Sequence, residues 1–90
     1  MLVSGELTPD AIGLYERVAD YYGHPAYTRQ AGGWSLWMSA DGIDALISPE
    51  IGTVPDEPDP YWARVPAGGS FPGIYDHQND ALGHATVANV

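Results

Sequence analysis

The stretch that most constrains this chain is residues 34–48, WSLWMSADGIDALIS. Side chains alternate across an extended strand with a period of two residues. Here Trp34, Leu36 and Met38 share one face, and Ser35, Trp37 and Ser39 share the other. Beyond Ala40-Asp41-Gly42, the residues Ile43, Ala45 and Ile47 alternate with Asp44, Leu46 and Ser48. Asp-Gly between two alternating runs is a strong local signal for a hairpin. The spacing therefore predicts a β-hairpin turning at Asp41-Gly42, with Trp34 and Ile47 on the core side and Pro49 ending the second arm.

Around this hairpin the chain is cut into short pieces. Residues 49–60, PEIGTVPDEPDP, place four prolines and four acids in twelve positions. Proline removes an amide donor and fixes φ, so neither ladder nor helix survives that density. A charged surface loop is expected there. Residues 61–65, YWARV, read as a strand, and residues 66–73 as a Pro/Gly loop. Residues 74–77 and 83–90 read as two further strands around Gln78-Asn79-Asp80.

The first third supports two readings. Thr8-Pro9-Asp10 resembles a helix N-cap, and Ile12, Tyr15, Val18, Ala19 and Tyr22 follow at helical spacing. Against a helix over residues 9–22, Gly13 would cost about 1 kcal/mol in its interior. The segment Arg17–Arg29 also reads as two strands around Gly23-His24-Pro25, flanked by Tyr21, Tyr22 and Tyr27. Gly13-Leu14-Tyr15 and Gly73-Ile74-Tyr75 repeat one small pattern after proline-marked loops, which favours strands. The fold expected is all-β: one domain over residues 1–90, a small antiparallel β sandwich or partly open barrel with short strands and long Pro/Gly loops.

Composition narrows function by exclusion. Twelve acids face three arginines and no lysine, for a net charge of −9. Binding to phosphates needs a basic face, so neither nucleic acid nor an anionic membrane is an expected partner. No apolar run approaches the ~20 residues of a spanning helix. The first ten residues have neither the basic nor the apolar region of a signal peptide, so use without export is expected. No cysteine is present, which removes disulfides and thiolate metal sites. A chain this short buries only about 60–65% of its unfolded surface. Ten aromatic residues in ninety must then supply much of the core, or contact a partner.

No catalytic or metal constellation is expected. Ser70 lies in Gly69-Ser70-Phe71-Pro72, and Pro72 occupies the place where a nucleophile elbow needs glycine. His24, His77 and His84, with Asp76 and Asp80, match no metal-ligand spacing. Asp56-Glu57-Pro58-Asp59 has prolines where a calcium loop needs turns. No catalytic residue, metal ligand or cofactor is therefore assigned. Trp37, Trp62 and Tyr61 are the candidate partner-binding residues, because exposed tryptophan and tyrosine dominate interface energetics. A Trp/Tyr platform could equally stack on sugar rings, as in a carbohydrate-binding module. A small intracellular adaptor is a third reading.

The order Leu7-Thr8-Pro9-Asp10, Gly13-x-Tyr15, Gly23-x-Pro25-x-Tyr27, Trp34-x-x-Trp37, Ile47-Ser48, Gly73-x-Tyr75 and Gly83-x-x-Thr86-Val87 spans nearly the whole chain. It resembles the small aromatic β-modules of tailed-phage virion proteins. Gly-His-Pro near 23–25 and Leu14 depart from that pattern. The resemblance implies an all-β, non-enzymatic structural component, such as a capsid decoration or cement protein. It implies attachment in many copies, or as a homo-oligomer, to the major capsid protein or another virion protein. It also implies a place in the virion after assembly in the host cytoplasm.

The acidic proline loop gives the first test. Replacing Asp56 and Glu57 by Asn and Gln is expected to leave the melting temperature nearly unchanged, because surface substitutions usually stay within about 0.5 kcal/mol. Loss of folding in that variant would show that the loop is buried or holds a metal.

Overall fold

The computed structural model describes residues 1–65 and 68–90. Eight strands follow in chain order: β1 Leu2–Ser4, β2 Gly13–Tyr21, β3 His24–Arg29, β4 Ser35–Met38, β5 Ala45–Ser48, β6 Tyr61–Arg64, β7 Gly73–Gln78 and β8 Ala85–Ala88. Each pairs antiparallel with the next, and β1 pairs with β8, so the sheet closes into a barrel. The expected all-β class holds. A closed barrel replaces the expected sandwich or partly open barrel, and the difference lies in β1. Three residues carry too little alternation to announce a strand, yet Leu2↔Ala88, Val3↔Val87 and Ser4↔Thr86 close the ring.

The hairpin at 34–48 forms with Leu36 opposite Ile47 and Trp37 opposite Leu46. Its turn is wider than two residues. Ser39 N–H donates to the Asp44 carbonyl (2.9 Å), and the Asp41 carboxylate accepts from Ser39 Oγ (2.6 Å) and Ile43 N–H (3.0 Å). These hydrogen bonds to its charged form hold the Asp41 carboxyl below the ordinary carboxylate range.

Residues 9–22 are not helical. They contain the whole of β2, and Thr8 bridges to Leu82 instead of capping a helix. The helical spacing was fortuitous, since only Tyr15 of that series faces the core while Ile12, Val18, Ala19 and Tyr22 are exposed. Val18 sits where the β2–β3 register slips between Arg17 and Ala19, a bulge that upsets simple alternation. The turn is Tyr22-Gly23, with φ of 50° and 80°, one residue earlier than expected. Both central residues are left-handed, as the twist of a tight hairpin demands. His24 and Pro25 already belong to β3. Residues 49–60 hold no strand or helix, and the strands expected near 61–65, 74–77 and 83–90 are present as β6, β7 and β8. The expected loop at 66–73 includes residues 66 and 67, which lie outside the described residues.

An eight-stranded barrel is narrow enough for side chains to fill it. Val3, Tyr15, Leu36, Met38, Ala45, Ile47, Trp62, Tyr75, Ala85 and Val87 do so, with Ala11, Phe71 and Ala81 added from loops. Trp62 is fully buried, and its indole N–H donates to the Gly83 carbonyl (3.0 Å). Tyr15 and Tyr75 are buried in the same way: each hydroxyl donates to the carbonyl four residues earlier, Ala11 (2.6 Å) and Phe71 (2.7 Å).

The recurrent Gly-apolar-Tyr pattern thus has a structural counterpart. Arg29 Nε donates to the Ile12 carbonyl (2.7 Å) beside Gly13, and Arg64 Nη1 donates to the Ser70 carbonyl (2.9 Å). A Cβ on Gly73 would collide with the Arg64 guanidinium, and one on Gly13 would touch Arg29. The arginine comes from the following strand in one case and the preceding strand in the other. The two copies therefore share a local construction, and a tandem duplication does not explain them.

Burial pushes both phenols well above the ordinary tyrosine value, and the neighbouring arginines offset this only in part. A folded value above the unfolded one means stability is intact below about pH 10 and falls as pH rises through the folded value. Each phenol adds a slope of up to about 1.4 kcal/mol per pH unit. Alkaline denaturation should therefore steepen above pH ~10. Tyr75→Phe should cost about 1 kcal/mol at neutral pH and roughly halve that slope in urea melts taken across the alkaline range. An unchanged slope would show that Tyr75 ionises freely in the fold.

Candidate functional site

The outside of the barrel is unequal around its circumference. On the wall of β3 to β6, Trp37, Leu46 and Ala26 form a second buried cluster, joined by Tyr21, Ile51, Tyr61 and Ala63. Two segments cover it. Tyr21, near the β2–β3 turn, crosses Trp37 edge-on at a centroid distance of 5.3 Å. The 49–60 loop folds back so closely that a Cβ on Gly52 would lie 2.9 Å from the Tyr21 ring. β4 and β5 are consequently buried on both faces.

The polar atoms in this second layer are paired. Trp37 Nε1–H donates to Ser48 Oγ (2.8 Å), Ser48 Oγ–H to the Glu50 carbonyl (2.9 Å), and Ser35 Oγ–H to the Ser48 carbonyl (2.8 Å). This explains why serines flank tryptophan on a face that alternation marks as outward.

The expected contact residues therefore fall differently from their assignment. Trp37 is 2% exposed and Trp62 0% exposed, both covered by their own chain, so neither ring presents a surface to a partner. Tyr61 is half-buried and packs against the second cluster. Period-two alternation distinguishes inside from outside, but it carries no information on what later covers the outside.

On the opposite wall, β7–β8–β1–β2, the outward side chains of the sheet are exposed among the described residues. Cross-strand register puts Leu14, Leu2 and Ala88 in one row, and Thr86 between Ile74 and Ser4 in the next. All six are exposed, Ile74 at 65% and Leu14 at 44%, and Ile12 lies exposed nearby. None carries charge, on a chain whose net charge is −9. Single exposed apolar side chains are ordinary, whereas a contiguous uncharged patch marks an interaction surface. Sequence reasoning missed this wall because Leu2, Leu14 and Ile74 lie on three different strands, and only register brings them together.

A second feature lies where β4 begins and β5 ends. Trp34 is half-buried, packed edge-on to Trp62 at 5.4 Å, and it lines a cavity of about 560 Å³. Pro49, Pro55 and Pro60 shape that cavity, and Glu50, Asp56 and Asp59 also line it.

The histidines do not converge as a ligand set. His77 and His84 stand 5.7 Å apart by ring centroids, and His84 approaches Asp76 at 3.5 Å, while His24 lies against Gly42. Among the described residues, no three His, Asp or Glu side chains gather as metal ligands. Ser70 is exposed on its loop. Among the described ring pairs every crossing is edge-on, from 62° to 82°, so these pairs offer no flat multi-ring platform for a sugar.

No protein-family model matches the chain, and no curated protein or solved structure does either.

Ser48 is the hinge of the second layer. Ser48→Ala leaves the buried Trp37 N–H without its acceptor and should cost about 1–3 kcal/mol. Thermal melts and the near-ultraviolet circular dichroism of the tryptophans would register it. A variant as stable as the parent would show that the indole finds another acceptor.

Proposed function

We propose that this domain is a non-enzymatic docking protein that attaches in many copies to a larger protein assembly, as a capsid decoration or cement protein does. The observation that carries the reading is the exposed, uncharged patch on β7–β8–β1–β2, formed by Leu2, Leu14, Ile74 and their small neighbours, with exposed Glu16 and Asp76 two residues beyond Leu14 and Ile74 on the same strands. The virion setting rests on the resemblance of the sequence to tailed-phage β-modules. Net charge keeps free copies apart in solution until a partner covers the wall. A stable interface buries about 800 Å² per partner, and many modest contacts on one lattice add through multivalency. The contact surface is thus assigned to the apolar wall in place of Trp37 and Trp62.

Co-sedimentation tests this. The parent is expected to travel with assembled particles from the cells that produce it. A Leu14→Asp, Ile74→Asp variant, shown to fold by its melting curve, should lose that association by at least about tenfold, since two desolvated carboxylates oppose docking. Equal co-sedimentation of parent and variant would overturn the assignment of the wall. A parent that never sediments with particles but is retained on a polysaccharide column would replace docking with sugar binding.

A further inference from the structure

The cavity beside Trp34 shares no residue with the bare wall, and the docking reading leaves it unused. Its makeup is specific. One wall is the Trp34 indole, held in place by the buried Trp62. The others come from the proline loop, which also supplies Glu50, Asp56 and Asp59. Among the described residues, none of these three carboxylates takes part in an ion pair or accepts a hydrogen bond through its side chain. The chain's own arginines are engaged elsewhere: Arg17 with Asp20, Arg29 with Asp10 and the Ile12 carbonyl, Arg64 with the Ser70 carbonyl.

The loop is also fixed from behind. Asn79 Nδ2 donates to the Asp59 carbonyl (2.7 Å), Asp80 N–H to the Pro58 carbonyl (3.2 Å), and Asp59 N–H to the Asp56 carbonyl (2.8 Å). A cavity whose walls are held before a ligand arrives spends little of its binding energy on ordering. Its volume of about 560 Å³ falls within the range of small-ligand sites.

We propose that this pocket receives an arginine side chain presented by a partner protein. A guanidinium is flat, stacks on an indole face, and donates paired hydrogen bonds to carboxylates. It sheds hydration more readily than the compact lysine ammonium. A neutral sugar could stack on the single indole and donate hydroxyls to the carboxylates, but it would leave their negative charge uncompensated. The room beyond one guanidinium accommodates the backbone on either side of the arginine. The pocket and the bare wall share no residue, so each stands or falls alone.

The test is a titration of the ¹⁵N-labelled protein with the peptide Ac-Gly-Arg-Gly-NH2, followed by backbone and indole amide shifts. Saturable shifts are expected at Trp34 Nε1–H and through residues 50–59. They should be absent with the citrulline counterpart, which keeps the shape and removes the charge. An Asp56→Asn, Asp59→Asn variant with an unchanged melting curve should bind the arginine peptide about tenfold more weakly. Absence of saturable shifts with the arginine peptide would overturn the proposal, as would equal binding of the citrulline peptide. Equal binding of a lysine peptide would overturn the guanidinium assignment. Maltotriose shifting the same residues where the arginine peptide does not would hand the pocket to a sugar.

Discussion

Closure is the constraint on which the rest of this structure depends. β1 contributes only Leu2–Ser4, yet it bridges β2 and β8 and so leaves no free sheet edge in the ring. An open edge would present unpaired amides to other chains. Closure also sets the interior diameter, and the interior sets residue size. Trp62, Tyr75, Leu36 and Ile47 fill the middle, while alanines 11, 45, 81 and 85 sit where neighbouring side chains leave little room. A small barrel without disulfides has few other means of burying apolar area.

Two tyrosines show how the barrel accommodates polar atoms. Each phenol spans from core to loop and ends on a carbonyl, and each lies near an arginine that binds another loop carbonyl. Gly13 and Gly73 are the complement of those arginines, since a side chain at Gly73 would occupy the guanidinium's place. Loop segments that would otherwise carry unsatisfied carbonyls are thereby tied to the barrel wall.

Much of the fold was legible in the sequence, for reasons tied to particular residues. The 34–48 hairpin is written in clean alternation about Asp41-Gly42, and the 49–60 loop in its prolines. Residues 12–22 misled because a bulge at Val18 and an exposed outer face imitate helical spacing. β1 was silent because so short a strand has no periodicity. The site was legible in its materials only. Trp37 lies on an outward parity that Tyr21 and Ile51 then cover, an event determined by tertiary contacts. The bare wall is the reverse case, in which unremarkable aliphatic residues from separate strands become neighbours through register.

The pairing of the first strand with the last has a mechanical side. Leu2 lies opposite Ala88 and Ser4 opposite Thr86, so the two strands run antiparallel and bring residues 1 and 90 to the same end of the ladder. A force pulling those ends apart acts perpendicular to the strands and opens the ladder one pair at a time, as a zipper does. It never loads all the hydrogen bonds together in shear. The bare wall runs across this seam, because Leu2, Ser4, Thr86 and Ala88 belong to both.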